Sequence, residues 1–324
     1  MTPDNQSNAI GEKTPIELWY GARKHSVGTA SMAPTPPIPT GEQGTGMKIA
    51  IQGEPGSFSH EAAMKLDADA VIVPFALSPD AFAAVAGGSV DAAAIPIENS
   101  LAGSVAEHFD LLLTHDVVVE QETLLRIRHN LIAISGASIG EIDRVFSHPV
   151  ALAQCRRFLA KHPRMESYAF YDTAGSVKQL VELRDRHAAA IASEAAAHFY
   201  GAQILEAGIE DNPENFTRFF LVRRSGEAVS DPAANKISIA FSVENRPGSL
   251  VSALLELSTL GTNLTKIESR PVHGKPWEYI FYVDCQIHTP EEGTRALNAL
   301  RPHCSMVKEL GRYREAARPQ QSRP

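Results

Sequence analysis

Hydroxyl, amide and charged side chains able to bind an anion and move a proton recur along the 324-residue chain. They are Ser57, Glu98-Asn99-Ser100, Ser147-His148, Asp172-Thr173, Ser193 and Thr217-Arg218. Thr217 and Arg218 stand between aromatics, in Asn215-Phe-Thr-Arg-Phe-Phe220. A hydroxyl and a guanidinium at the mouth of a strand suit holding a carboxylate and donating a hydrogen bond to a leaving oxygen. Thr217 also suits the plain start of a strand, and Arg218 a solvated face. Glu98 is a carboxylate beside an amide. An acid role would need its pKa raised by burial; a loop-tying bond to backbone is the alternative. His148 precedes Pro149, which favours an extended turn, and reads as structural.

Strands and helices alternate from Lys48 to about Glu206 and must position these groups. Ile49 to Ile51 reads as a strand, followed by the loop Gly53-Glu-Pro-Gly-Ser-Phe-Ser59, with Ser59 as N-cap of a helix. Ala92 to Ile97 is a strand ending in Glu98-Asn99-Ser100, and Ser104 with Glu107 forms a capping-box pattern. Val117 to Val119 and Leu124 to Ile134 read as extended segments able to pass between lobes. Such alternation predicts parallel sheets with helices on both faces and a ligand outside the carboxyl ends of the strands. Helix N-termini converging there favour an anion. Gly53-x-x-Gly56 lacks the Gly-Lys-Ser/Thr ending of a phosphate loop. With no dinucleotide fingerprint, His-Glu-x-x-His or paired cysteines, the chemistry is expected to need neither nucleotide nor metal. No Ser-His-Asp order is discernible.

A hydrophobic content of 44% and a charged content of 21% are those of a globular protein, and the length suggests two domains. The net charge of −8 argues against a large nucleic-acid interface. Three separated cysteines make no disulfide framework or zinc site and fit a reduced, cytoplasmic setting. No apolar run approaches the ~18 residues of a membrane span. Residues 1–46, rich in Pro, Gly, Ser and Thr, read as a disordered tail without the pattern of a secretory signal. Met47-Lys-Ile-Ala-Ile reads as a natural beginning. Residues 47–224 form the first domain, 225–235 a polar linker, 236–314 a ferredoxin-like βαββαβ domain and 315–324 a disordered tail. The turn Asn245-Arg-Pro-Gly248 with Glu268-Ser269-Arg270 suits a small zwitterion; a plain dimerisation module is the alternative.

Taken together, the ordered motifs resemble the prephenate dehydratase family over Met47 to Tyr313. They are Gly53-Glu-Pro-Gly-Ser-Phe-Ser-His-Glu61, Pro96-Ile-Glu-Asn-Ser100, Arg128-His129-x-Leu131, Ser147-His-Pro149, Asp172-Thr-Ala174 and Asn215-x-Thr217-Arg-Phe219. Gly248-Ser-Leu-Val251 and Asn263-Leu-Thr-Lys-Ile-Glu-Ser-Arg-Pro271 look like the phenylalanine-binding motifs of that family's ACT domain. The resemblance implies a two-lobed catalytic domain like type 2 periplasmic binding proteins, then the ACT domain. It implies decarboxylating dehydration of prephenate to phenylpyruvate, water and CO2, without a cofactor. Thr217 would be catalytic; Ser57, Glu98, Asn99, Ser100, Thr173, Arg218 and Phe219 would bind substrate. Gly248, Ser249, Leu250, Val251, Asn263, Leu264, Glu268, Ser269, Arg270 and Pro271 would bind L-phenylalanine as effector. A homodimer or homotetramer is expected. Arogenate dehydratase and a non-catalytic phenylalanine sensor are the rivals. Val150 stands where glutamine often follows Ser-His-Pro, and Ser249 where alanine is usual. The composition of the N-terminal tail does not resemble a chorismate mutase, so a monofunctional enzyme is expected.

Overall fold

The computed structural model describes residues 46–272 and 277–317. Of the disordered tails expected at 1–46 and 315–324, residues 1–45 and 318–324 lie outside the described residues. Glu315 and Ala316, expected in a disordered tail, are instead tied down. The Glu315 N–H donates to Asn235 Oδ1 at 2.6 Å and the Ala316 N–H to Glu122 Oε1 at 2.8 Å. Among the described residues no helix is long and apolar enough to cross a membrane.

Lobe 1 is built on a sheet with the order β2-β1-β3-β11-β5. Its strands are β1 (Lys48–Gln52), β2 (Val71–Phe75), β3 (Ala92–Asn99), β5 (Val117–Arg126) and β11 (Phe216–Arg224), with the short β4 (Gly103–Ser104) on β3. Helices α1 (Phe58–Leu66), α2 (Ser78–Ala86) and α3 (Ala106–Thr114) connect them. The second lobe carries β6 (Asn130–Ala133), β7 (Arg144–Ser147), β8 (Glu166–Ala169), β9 (Ala188–Ala192) and β10 (Gln203–Ala207), ordered β10-β6-β9-β7-β8. Its helices are α4 (Pro149–Gln154), α5 (Arg156–Lys161), α6 (Thr173–Leu183) and α7 (Glu194–Tyr200).

Both sheets are mixed, which corrects the parallel sheets expected from the alternation. In lobe 1, β2, β1 and β3 are parallel, but β11 runs antiparallel to β3 and β5. The cause is the crossing between lobes. The chain leaves lobe 1 at the end of β5 and re-enters there as β11, so β11 must run the other way. Its first residues therefore lie beside the carboxyl ends of its neighbours, with Thr217 opposite Asn99 and Leu125.

Residues along β11 alternate between two cores. Leu221 packs with Ile49, Ile51, Ala63 and Ala94 on the α1 side, whereas Phe220 and Val222 join Phe82, Ile95, Phe109 and Val119 on the other. That second core continues into the C-terminal domain through Ala240, Tyr282, Leu310 and Tyr313.

The C-terminal domain contains β12 (Lys236–Ser242), α8 (Ser249–Thr259), β13 (Asn263–Pro271), β14 (Tyr279–Gln286), α9 (Pro290–Leu300) and β15 (Met306–Tyr313). Its antiparallel sheet has the order β13-β14-β12-β15, that of a ferredoxin-like fold. Ile237, Ile239, Phe241, Val283 and Cys285 face Ala253, Leu257, Ala296 and Leu300 of the two helices. The opposite face lies on lobe 1. There Phe109 and Tyr282 pack with ring centroids 4.9 Å apart. Lys308 Nζ donates to the carbonyls of Leu112 and Leu113, each at 2.9 Å, and of His115 at 3.1 Å. A cation there satisfies the unpaired end of α3 and complements its dipole. Gly311 leaves no gap against β5, since a Cβ would collide with the Val119 carbonyl oxygen.

Candidate active site

Thr217 is buried at the start of β11, with its hydroxyl directed at an amide. Asn99 Nδ2 donates to Thr217 Oγ1 at 2.9 Å and to Asn215 Oδ1 at 2.8 Å. The Asn99 oxygen accepts from the main-chain N–H groups of Leu101 at 3.0 Å and Ala102 at 2.8 Å. Backbone N–H groups only donate, so the oxygen end of this amide is fixed and its nitrogen must donate to Thr217. The threonine oxygen thus accepts, and its own proton is left to donate elsewhere. Accepting one bond also strengthens the donation of the other.

The chain of amides runs on into the second lobe. Asn215 Nδ2 donates to Gln154 Oε1 at 2.9 Å, and His129 Nε2 lies 2.9 Å from the same oxygen. Gln154 and Asn215 border a cavity of ≈ 390 Å³, with Leu101, Ala102, Val150 and Arg156 around it. Gln154, Asn215 and His129 carried no assigned role in the sequence reading. On the helix that carries Gln154, the sequence reading noted Val150, at a place where glutamine is common. Gln154 sits four residues later on the same short helix, so the two positions share one face. That spacing was the available signal for Gln154; for His129 nothing local marked a partner.

The Ser100 hydroxyl is engaged within the protein. It donates to the Glu214 carbonyl at 3.1 Å and accepts from the Phe216 N–H at 3.0 Å, which ties the loop before β11 to the end of β3. Phe219 is buried under Thr217 on the same side of the strand.

The site elements supplied by helix ends face one another across the lobes. Ser57, not the expected Ser59, is the N-cap of α1, accepting from the His60 N–H at 3.4 Å. Asp172 caps α6, accepting from Gly175 N at 2.6 Å, which puts Thr173 in the first turn. Burial holds the Asp172 carboxyl above its usual range, against bonds from the Gly175 backbone. The loop between β1 and α1 docks on these ends. A Cβ at Gly53 would sit 2.6 Å from Asp172 Oδ2, and one at Gly56 2.7 Å from Ala196 Cα. Both glycines have positive φ, so shape and space each demand glycine. Glu54 in the same loop accepts from Tyr171 Oη and Lys178 Nζ, each at 2.9 Å. Among the described residues neither Ser57 nor Thr173 is hydrogen-bonded to Thr217.

Arg218 and Glu98 point the other way. They are paired neighbours on β11 and β3, on the face opposite Thr217 and Asn99. Arg218 Nη1 donates to Asp284 at 2.5 Å, its Nη2 to Tyr313 Oη at 2.9 Å and its Nε to Glu122 at 2.6 Å. Burial opposes its charge, but Tyr313, Asp284 and Glu122 together outweigh burial and raise its pKa. Lys236 closes the cluster at 3.1 Å from Glu122, and Ser238 donates to Asp284 at 2.5 Å. Glu98 lies 3.1 Å from Lys266. The expectation that Arg218 and Glu98 bind substrate does not fit this geometry. Successive strand residues face opposite sides, so a strand that presents Thr217 to the cleft presents Arg218 to the C-terminal domain.

The same alternation divides the expected effector residues. Glu268 accepts from Ser104 of lobe 1, and Arg270 binds Asp110 at 2.6 Å. Both therefore face lobe 1, and so does Lys266 between Glu98 and Glu268. The expected capping role of Ser104 is lost to this contact, and α3 has no side-chain cap. Ser269 and Pro271 are exposed on the other side of β13 with Ile267. Gly248, at φ 86°, precedes α8, and Val251 is exposed on its first turn. Ser249 Oγ is buried without a hydrogen-bond partner among the described residues. Asn263 Nδ2 donates to Gln286 at 2.8 Å, while Leu250 and Leu264 pack on the domain core.

Comparison with known proteins places the chain in one family. A family model described as prephenate dehydratase matches residues 49–227. The chain is 39% identical over 280 residues to an Arabidopsis thaliana protein named arogenate dehydratase/prephenate dehydratase 2, chloroplastic. That match covers 83% of this chain and 73% of the relative. A solved prephenate dehydratase from Arthrobacter aurescens in complex with L-Phe has a TM-score of 0.76 at 32% identity, covering 83% of this chain and 90% of that one. A structure described as a novel type of quorum-quenching acylase also gives a TM-score of 0.76 at 32% identity, covering 82% of this chain and 97% of that one.

Proposed function

Because the chain belongs to the prephenate dehydratase family, we propose that its Thr217 hydroxyl donates the hydrogen bond that helps the hydroxyl of prephenate depart. The reaction is the decarboxylating dehydration of prephenate to phenylpyruvate, water and CO2, in phenylalanine biosynthesis. The carboxylate on the ring leaves as CO2, and its bonding electrons enter the ring. The C–O bond breaks, hydroxide takes a proton and becomes water, and the ring becomes aromatic. The driving force lies in the substrate, so the protein has to orient it and stabilise the leaving oxygen. A threonine hydroxyl is too weak an acid to be ionised at neutral pH, and its part is a hydrogen bond or a relayed proton.

The observation that carries this reading is the Asn99 to Thr217 bond, whose direction is set by the Leu101 and Ala102 N–H groups. It leaves the threonine proton available. It also supports dehydration over acyl transfer, because the hydroxyl meets a donor and not a base that could activate it as a nucleophile. The N-terminal ends of α1 and α6 favour the dianionic substrate. Phenylpyruvate formation from prephenate, followed in the ultraviolet, is the direct test. Thr217→Ala is expected to lower kcat by ~10²–10³ with little change in KM. Thr217→Ser should keep more activity than Thr217→Val; near-normal kcat in Thr217→Ala would rule the role out. Parallel kcat/KM values with arogenate decide the substrate preference, a comparison favoured by the double name of the Arabidopsis relative.

L-phenylalanine as an effector of the C-terminal domain is part of this proposal. The complex of the Arthrobacter aurescens protein with L-Phe supports it. The ligand would lie toward Gly248 to Val251 and the exposed side of β13, since Glu268 and Arg270 are engaged by lobe 1. Val251, Leu255 and Ile267, at 68%, 60% and 50% exposed, and the edge position of β13 favour pairing of two such domains in a homodimer or homotetramer. We place its action in the cytoplasm, on the cysteine content.

A further inference from the structure

We propose that His129 is a positioning residue for this reaction. As the neutral tautomer with its proton on Nε2, it ends a one-way chain of amides that leaves the Thr217 proton and the Gln154 NH2 group free for the ligand. The inference rests on the reading of Thr217 given above and extends it to a residue that does not touch the substrate.

The direction of the chain begins at backbone. The Leu101 and Ala102 N–H groups fix the Asn99 oxygen as acceptor, so Asn99 Nδ2 donates to Asn215 Oδ1. Asn215 is then fixed as well, and its Nδ2 donates to Gln154 Oε1. That oxygen is an acceptor, so the second group on it, His129 Nε2, must bring a proton. Turning any one amide over would set donor against donor or acceptor against acceptor along the chain. The other imidazole nitrogen agrees. Nδ1 is buried and has no hydrogen-bond partner among the described residues. A proton there would be a buried donor with nothing to accept it.

The consequence for chemistry falls on Gln154. Its oxygen receives two bonds from inside the protein, so its NH2 group is turned away from them. That nitrogen makes no hydrogen bond to a described residue, and the side chain borders the ≈ 390 Å³ cavity. It is therefore presented to whatever occupies that space. His129 is itself held firmly. Its main-chain N–H donates to Glu210 at 3.0 Å, and its ring stands edge-on to Phe58 of α1 at 5.6 Å. Phe58 belongs to lobe 1 and Gln154 to the second lobe, so the imidazole bridges the two where the chain crosses between them. Burial, opposed by the Gln154 bond and the Glu210 charge, lowers the pKa of the ring.

Nitrogen-15 NMR of the full chain, labelled at histidine, reads the tautomer without altering the protein. The His129 resonances should show a protonated Nε2 and a bare Nδ1 near pH 7.5. A protonated Nδ1 with a bare Nε2 would overturn the inference. Kinetics give the second readout. His129→Gln carries an N–H at the same distance along the side chain and should keep kcat within about threefold, whereas His129→Leu lacks the donor and should lose on the order of 10-fold or more. The loss should fall on kcat more than on KM, and His129→Leu added to Gln154→Ala should cost little beyond Gln154→Ala alone. Wild-type kcat in His129→Leu, or equal damage by Gln and Leu in folded protein, would overturn it as well. Normal turnover by Thr217→Ala would bring down the reading of Thr217 and leave the tautomer result standing, so the two failures are distinguishable.

Discussion

Replacing Arg218 by methionine separates the role seen in the structure from the substrate-binding role expected from its sequence neighbours. Methionine keeps most of the length and loses the charge. Glu122 would still have Lys236 at 3.1 Å and the Ala316 N–H at 2.8 Å. Asp284, among the described residues, would keep only the Ser238 hydroxyl as a side-chain donor. The cost therefore falls on one buried carboxylate left without its cation. Breaking a buried pair by removing one partner costs about 3–5 kcal/mol, and the surviving partners of Glu122 put this case near the lower end, at about 3 kcal/mol. Against a typical net stability of about 5–15 kcal/mol the loss is easily measured. Urea unfolding followed by circular dichroism is the assay. Adding Asp284→Asn should recover about half of the loss, because the orphaned charge goes with it. A substrate-holding arginine behaves differently: Arg218→Met would raise KM steeply and leave the urea midpoint alone. That pattern, or a stability loss under about 1 kcal/mol, would refute the assignment to the domain contact.

Other perturbations test the fold and its effector. Gly311→Ala should destabilise by about 1–3 kcal/mol, since a Cβ meets the Val119 carbonyl and lies 2.8 Å from the Val119 Cβ, both on the rigid strand β5; an unchanged urea midpoint would contradict that packing. Burial lowers the pKa of both His108 and His129 below the ordinary 6.5. The unfolded chain then binds more protons than the folded one below pH 6.5, so stability should fall as pH drops through 6.5, by at most about 1.4 kcal/mol per pH unit for each histidine. Urea midpoints at pH 7.5 and 6.0 measure it; a higher midpoint at pH 6.0 would refute the sign. Glu61 and Asp172 have carboxyls raised by burial and work in the opposite sense, from the ordinary carboxylate range upward. Millimolar L-phenylalanine should raise the thermal midpoint and lower activity, and no change in either would end the effector proposal.

How much of this was legible in the chain depended on the range of the interaction concerned. The helix starts at Asp172 and Ser193 are of the kind local sequence can show, because a cap bonds a backbone N–H three residues away. The start of α1 was misread by two residues, as Ser57 and Ser59 both have the right chemistry and only the loop docked on Ala196 selects between them. The mixed sheets were missed because alternation of strand and helix says nothing about a chain that leaves one lobe and returns.

The recurrence of polar groups at strand ends, and Thr217 among them, was written in local order and spacing. Sequence also carried the period of two that separates Thr217 from Arg218. It did not carry the sign of that alternation, namely which neighbour faces the cleft. That was decided when the C-terminal sheet covered the other side of β11 and β3 and took Arg218 and Glu98 with it. The strand β12 makes the same point. Its alternation of Ile237, Ile239 and Phe241 with Ser238 and Ala240 is that of a sheet with one wet face, yet both faces are buried. A polar residue in a strand has the same sequence signature whether it meets water or a buried partner 66 residues away, as Arg218 meets Asp284. Only the packing of whole domains distinguishes the two.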